Sequence, residues 1–226
     1  MKGKRTGRVK KSVDVCMSLL LLCLMAYPVT GDTLHEWCGI AMTALLIVHH
    51  VLNRKWYASL FKGRCNAYRS VTVFVNTLLL ASVALTALCG MAMSARAVPF
   101  LYGFLPVSFA RQTHLAFSHW SFLLMGVHLG LHLPAMAQAL QLSRRVKAAA
   151  VAVFAAAAIC GCVVFFKNGI ARYLFFRTPF AFFDGSKGVP VVFAENLAML
   201  LCWAFLGAVC ARVLQRRTRK RREAAS

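Results

Sequence analysis

The sequence predicts an all-α, polytopic membrane protein with about six transmembrane helices. Hydrophobic residues make up 60% of its 226 residues and only six residues are acidic, which is more apolar side chain than a soluble protein of this size can bury. Lys and Arg cluster between long apolar runs. The net charge of +21 is therefore typical of segment ends beside anionic lipid headgroups, and the pattern argues against binding of nucleic acid.

The apolar runs approach the roughly 20 residues that a helix needs to span a bilayer. A signal peptide is the alternative for the first run, but no small-x-small cleavage site follows it, so we expect an uncleaved helix. The chain then divides into a basic N-terminus (1–12), a single transmembrane domain (13–214) and a basic tail (215–226). The six predicted segments are 13–30, 34–53, 71–93, 114–133, 148–166 and 191–214.

The distribution of Lys and Arg predicts the orientation. The N-terminus, the connections after the second and fourth segments, and the tail together with Arg212 just before it hold 21 of these residues, and the other side holds six. Both termini are therefore expected in the cytoplasm, with the protein in the cell inner (cytoplasmic) membrane. The second and fourth segments then run parallel, from the outside to the cytoplasm. The aromatic connection 168–188 is expected at the outer interface, as an anchor rather than as a docking site.

All seven histidines lie on the second and fourth predicted segments. An ionisable group inside the hydrocarbon is costly, so an intramembrane histidine by default indicates a site. His35 and His49 are 14 residues apart, and so are His114 and His128. Fourteen residues are four turns at the 3.5-residue period of packed helices, so each pair shares a helix face. Its members stand about 21 Å apart along the axis.

Parallel helices are expected to place His35 opposite His114 near the outside, and His49 opposite His128 near the cytoplasm. Two imidazoles that face each other across a bundle are the axial ligands of a six-coordinate haem iron that transfers electrons. The pattern predicts two haems b, with iron as the metal. They are expected to be non-covalently held, because no Cys-x-x-Cys-His sequence is present.

Neighbouring residues are candidates for holding the porphyrin. Arg54 and Arg111 are predicted to offset the haem propionates. Gly39, Gly126 and Gly130 are predicted to let a flat macrocycle approach the backbone.

Several alternatives remain open at this stage. His50 is an alternative to His49, and His132 to His128, although we expect these two and His119 to be structural. The alternative to haem ligation for the four predicted ligands is that they form hydrogen bonds between helices or line a proton path. Glu36 is expected to cap the second helix; the alternatives are that it accepts the ring N–H of the adjacent His35 or handles a quinol proton.

Two stretches carry a family resemblance. His35-Glu36-Trp37-Cys38-Gly39 matches a His-Glu-Trp-x-Gly start, and the stretch 49–56 matches a His-x-x-x-Asn-x-x-Trp end with His49, Asn53 and Trp56. Together they resemble the signature of the flavinylation-associated cytochrome family, with Cys38 where a larger apolar residue is common. Residues 114–130 are similar to the family's second haem helix, and Phe182-Phe183-Asp184 and 195–199 are similar to a C-terminal extension of its longer members.

The resemblance covers most of residues 34–206. It implies a cytochrome b-like four-helix haem-binding core with two haems. It also implies a redox partner outside the membrane, such as a flavin-bearing protein.

We therefore expect an electron-transfer protein that links quinol or a cytoplasmic donor to an extracytoplasmic acceptor. The chain has no Gly-x-Gly-x-x-Gly segment for a nicotinamide or flavin, so a quinone pool or a partner subunit is the expected donor. Whether the chain itself oxidises quinol or reduces quinone is open. The related alternative is the cytochrome b subunit of a dehydrogenase, hydrogenase or ferric-reductase-like system. The alternative of a different class is a cofactor-free membrane transporter or scaffold.

Overall fold

The computed structural model describes residues 2–60, 62, 66–139, 141, 143–181 and 184–223, and within them the chain is helical and has no strand. Phe182, Phe183 and the last residues of the predicted tail (224–226) lie outside the described residues. The elements are α1 (Lys2–Met25), α2 (Tyr27–Leu52), α3 (Arg54–Ser59), α4 (Ala67–Met93), a 3-10 turn (Pro99–Leu101), α5 (Val107–Ala139), α6 (Arg144–Lys167), α7 (Ile170–Leu174) and α8 (Val189–Glu223).

Within the described ranges, five helices are long and apolar enough to cross a membrane, namely α2, α4, α5, α6 and α8. The prediction of an all-helical, multi-pass membrane protein is confirmed at this level. The first predicted segment lies in α1, whose N-terminal half is basic, so its apolar part is short. A sixth crossing therefore stays a prediction.

The helices α1 and α2 form an antiparallel hairpin. The chain reverses around Ala26, which is fully buried, and bends again at Gly31, whose φ of 69° lies in the left-handed region that favours glycine. Pro28 occupies the first turn of α2, where its missing N–H leaves no helical bond unmade. At the open end of the hairpin, Lys10 Nζ donates to Asn53 Oδ1 over 3.0 Å.

A second unit comprises α4, α5, α6 and α8, which pack closely on one another. Glycines allow α5 and α8 to approach. A Cβ on Gly130 would lie 2.1 Å from the Ala204 carbonyl oxygen, and one on Gly126 would lie 2.6 Å from Trp203 Cβ. The prediction that Gly126 and Gly130 make room for a macrocycle is wrong, because the backbone of α8 fills that space.

The hairpin contacts this unit mainly through one apolar cluster. The side chains of Met17, Leu21 and Met42 pack in one apolar cluster with Phe122 of α5 and with α8. Otherwise α2 packs along α1, touches α4 only slightly and hardly approaches α5. The end of the bundle that holds residues 2 and 223 is termed the terminal end, and the opposite end is termed the far end.

Candidate functional site

The structure brings His35 of α2 and His114 of α5 together at the far end. Their ring centroids are 6.0 Å apart and the ring planes are inclined by 74°. The backbones of α2 and α5 remain apart, so these two imidazoles meet across an interhelical gap. This pair is the far-end pair.

The neighbouring helix α4 fixes the orientation of His114. Its Nδ1–H donates to the carbonyl oxygen of Thr86 over 2.8 Å. Because a carbonyl oxygen can only accept, Nδ1 carries the proton and Nε2 keeps its lone pair. Gly90 makes room for the ring, since a Cβ there would lie 3.1 Å from His114 Cε1.

His35 is held by packing rather than by a hydrogen bond. Its Nδ1 is buried and has no hydrogen-bond partner among the described residues. The Leu24 carbonyl approaches the ring without reaching ordinary hydrogen-bond geometry. Tyr27 packs edge-on against the ring with 5.1 Å between the centroids. One turn further along α2, a Cβ on Gly39 would meet nothing within 4 Å.

His49 of α2 and His128 of α5 form the terminal-end pair. Their rings make no contact with each other among the described residues, unlike the rings of the far-end pair. His128 donates its Nδ1–H to Asn76 Oδ1 of α4 over 2.8 Å. His49 donates its Nδ1–H to Asp14 Oδ1 of α1, also over 2.8 Å, and Asn53 Nδ2 stands 3.4 Å from its Nε2.

Three of the four predicted ligands therefore share one arrangement. Their Nδ1–H is donated to an oxygen on a neighbouring helix, which leaves Nε2 as the unprotonated nitrogen; in His49 this nitrogen accepts from Asn53 Nδ2 over 3.4 Å. Metal-bound histidines are commonly oriented by such partners.

The other histidines are placed differently. His119 donates its Nδ1–H to the Leu115 carbonyl of its own helix over 2.7 Å. Its ring stacks on Tyr173 with 4.7 Å between the centroids. His132 is exposed and packs edge-on against His128 with 4.9 Å between the centroids. These contacts explain His119 through packing and place His132 beside the terminal-end pair.

His50 remains a competing ligand, because its Nε2 is buried and has no hydrogen-bond partner among the described residues. Its Nδ1 bonds to the hydroxyl of Tyr57. Burial raises the pKa of the Tyr57 phenol, so the hydroxyl stays protonated and can donate. When it donates, the proton of His50 lies on Nε2, which is opposite to the arrangement in His49.

Glu36 does not bond to His35. Its carboxylate accepts from the Ser94 hydroxyl at 2.7 Å and from the backbone N–H groups of Ala97 at 2.9 Å and Arg96 at 3.0 Å. The prediction that Glu36 caps its own helix is therefore wrong, because its carboxylate bonds to the connection after α4. Glu36 holds the connection after α4 against the far end of α2.

The predicted propionate partners are both exposed, at the level of the pair that each was assigned to. Arg54 is the first residue of α3, just past the terminal end of α2. Arg111 lies one turn before His114 on α5, and its guanidinium carbon stands 5.6 Å from the centroid of the Phe180 ring. Beside Arg111, Pro179 and Phe180 help to line an open groove of about 250 Å³.

The aromatic connection after α6 is partly buried. Tyr173 and Leu174 are buried against α5, where Trp120 Nε1 donates to the Leu174 carbonyl over 3.0 Å. Phe175, Phe176 and Phe180 are exposed. A clasp between Lys187 Nζ and Glu195 Oε2, 2.8 Å apart, holds the end of this connection on α8.

The far-end pair fits a haem. Two metal–nitrogen bonds of about 2 Å would place facing imidazole centroids about 6 Å apart, which matches the observed separation. The unpartnered Nδ1 of His35 and the open space at Gly39 also fit an absent flat ligand. Within the described part of the chain, no group of three or more His, Cys, Asp or Glu is arranged to hold a metal ion.

The chain matches no protein-family model, and the searches of curated proteins and of solved structures return no significant match.

Sequence reasoning missed the partners of the histidines. It assigned no role to Asp14, Asn76, Thr86 or Gly90. An antiparallel pairing of α4 with α5 would have suggested Asn76 for His128. The acceptor at Thr86 is a backbone atom, and no residue type could have indicated it.

Proposed function

We propose that this protein is a membrane cytochrome that holds two b-type haems and carries electrons across the membrane. One haem would be held by His35 and His114, and the other by His49 and His128. The haems supply reversible one-electron chemistry at two depths of the bilayer.

The observation that supports the proposal most strongly is the shared orientation of His49, His114 and His128. Each donates its Nδ1–H to an oxygen on a different helix. A histidine that only links two helices needs one hydrogen bond, and either ring nitrogen can make it. In all three rings Nε2 is the unprotonated nitrogen, and the rings lie at two levels along the parallel helices α2 and α5.

The residues between the two levels would separate the sites. Met42 and Phe122 are buried halfway between the histidine pairs, at 8% and 4% exposure. This apolar layer excludes water, so it favours passage of an electron over passage of a proton.

The positive-loop count supports an orientation with the terminal end in the cytoplasm. The far-end pair then faces an extracytoplasmic acceptor, and the resemblance to flavinylation-associated cytochromes suggests a flavin-bearing protein. Quinol or a cytoplasmic redox protein would be the donor at the terminal end. The same histidine arrangement also suits the cytochrome b subunit of a larger dehydrogenase.

The test is a reduced-minus-oxidised spectrum of the purified protein, with haem quantified after acid-acetone extraction. Two extractable haems per chain are expected. A ratio near one would mean that one pair is structural. Protein that carries no haem, when expressed with an adequate haem supply, would contradict the proposal and favour a cofactor-free transporter or scaffold.

A further inference from the structure

The four histidines receive unequal hydrogen-bond acceptors. At the terminal end, His49 donates to the carboxylate of Asp14 and His128 donates to the amide of Asn76. At the far end, His114 donates to the Thr86 carbonyl, and His35 has no acceptor for its buried Nδ1. The anionic acceptor is therefore confined to one of the two pairs.

The acceptor on Nδ1 controls how strongly Nε2 donates to a metal. A carboxylate draws the Nδ1 proton and leaves more electron density on the ring, which raises the basicity of the ligand. An electron-rich ligand stabilises the oxidised metal more than the reduced metal. A ring without an acceptor lacks this effect, so the terminal-end site is expected to have the lower potential of the two.

The geometry of Asp14 suits this role. The carboxylate lies on the face of α1 that meets α2, and the nearby Lys10–Asn53 hydrogen bond sets the register of the hairpin. The Asp14 side chain is 49% exposed, so solvent weakens its field beyond the directly bonded ring. The 2.8 Å hydrogen bond to His49 is the main route by which it acts.

The far end also has acidic residues, which are engaged by one arginine and by several hydrogen-bond donors. Arg96 stands 3.5 Å from the Glu36 carboxylate and 3.8 Å from that of Asp32. The Tyr27 hydroxyl also donates to Asp32 over 2.6 Å. Neither carboxylate bonds to a histidine, so the far-end pair has no carboxylate acceptor of the kind that Asp14 provides for His49.

We propose that Asp14 is a positioning residue that makes the terminal-end haem the lower-potential one, so that electrons run from the terminal end to the far end. The inference rests on the proposed function. In the step itself, one electron leaves the terminal-end site, which is oxidised, and enters the far-end site, which is reduced, without proton transfer. In the proposed orientation this is export of electrons from the cytoplasmic side.

The test is a spectroelectrochemical titration of the purified, haem-loaded protein, with each spectral component assigned through His35→Ala and His49→Ala. In the wild type the component lost in His49→Ala should titrate at the lower potential. Asp14→Asn keeps an oxygen acceptor and removes the charge. It should raise the reduction potential of that component. The expected shift is about a tenfold change in the oxidised-to-reduced ratio at a fixed potential, which corresponds to 59 mV for one electron.

Asp32→Asn is the matched control, because Asp32 is a similarly exposed acid at the other end and should leave the terminal-end component in place. If Asp14→Asn loses that component altogether, Asp14→Glu replaces it in the test. Retention of the low potential in Asp14→Glu supports the proposal, and a rise to the far-end value overturns it.

Two results separate this inference from the function on which it rests. A protein with two haems whose potentials do not respond to Asp14→Asn, or whose terminal-end component is the higher one, would overturn the role of Asp14 and leave the cytochrome proposal intact. A protein without haem fails the proposed function instead.

Discussion

His128 on α5 donates its Nδ1–H to Asn76 on α4 over 2.8 Å, and the same two helices join His114 to Thr86 over the same distance. Because α4 runs antiparallel to α5, one helix orients an imidazole at each level of the bundle. The ligand face of α5 thus depends on α4, whereas the ligand face of α2 depends on α1.

Asn76→Leu removes the acceptor of His128 and leaves a buried N–H unpaired. We expect a loss of about 1–3 kcal/mol in the free energy of unfolding, measured by denaturation in detergent. The spectral component of the terminal-end pair should weaken while the other persists. Thr77→Val is the control, because that hydroxyl is exposed and bonds only to the Val73 carbonyl of its own helix. Equal losses in the two variants would contradict the assignment.

Histidine substitutions should remove haem components in pairs. His35→Ala and His114→Ala are expected to erase the same spectral component, and His49→Ala and His128→Ala the other, because a low-spin haem needs both axial ligands. His50→Ala should retain both components.

Difference spectra at matched protein concentration would check this pairing. Haem loss can also lower stability, so each variant must first be shown to express and to remain folded. Removal of the second component by His132→Ala, with His128→Ala unaffected, would mean that the 14-residue spacing does not identify the ligand on α5.

Two helical glycines should respond oppositely to alanine. In Gly130→Ala the new Cβ would lie 2.1 Å from the Ala204 carbonyl oxygen, so α5 and α8 must move apart. We expect a loss of about 3 kcal/mol or more in thermal unfolding experiments. Gly7→Ala in α1 meets no atom within 4 Å and should be neutral or slightly stabilising. Comparable losses at both positions would contradict the close packing of α5 on α8.

Reporter fusions test the orientation. A fusion at Ser226 should report a cytoplasmic location and one at Gly185 an external location, because Lys and Arg concentrate on the side of the termini. An externally active fusion at Ser226 would reverse the orientation and the direction of electron export inferred from it.

The sequence predicted the juxtaposition of His35 and His114 because each helix spacing is a local property of the chain. The interval between His114 and His128 is a property of one helix, and its helical period follows from the backbone. The parallel course of α2 and α5 followed from the alternation of apolar runs. The juxtaposition of His35 and His114 needs only these two facts.

The sequence failed where a neighbouring helix decides the role of a residue. Gly130 was assigned to a cofactor because a glycine allows close approach of either a cofactor or another helix. In the structure it is the backbone of α8 that packs against Gly130. Glu36 was matched to the adjacent His35, whereas its partners lie about 60 residues further along the chain. Asp14 could not be matched to His49 before the register of the hairpin was known.

The division of the bundle into a hairpin and a four-helix unit has a consequence for assembly. Each histidine pair takes one imidazole from each unit, and between the pairs the two units share the apolar cluster around Met42 and Phe122. A flat prosthetic group bound at each level would therefore contact both units and hold the hairpin against the four-helix unit. If haem binds as proposed, its removal is expected to weaken the contact between the hairpin and the four-helix unit.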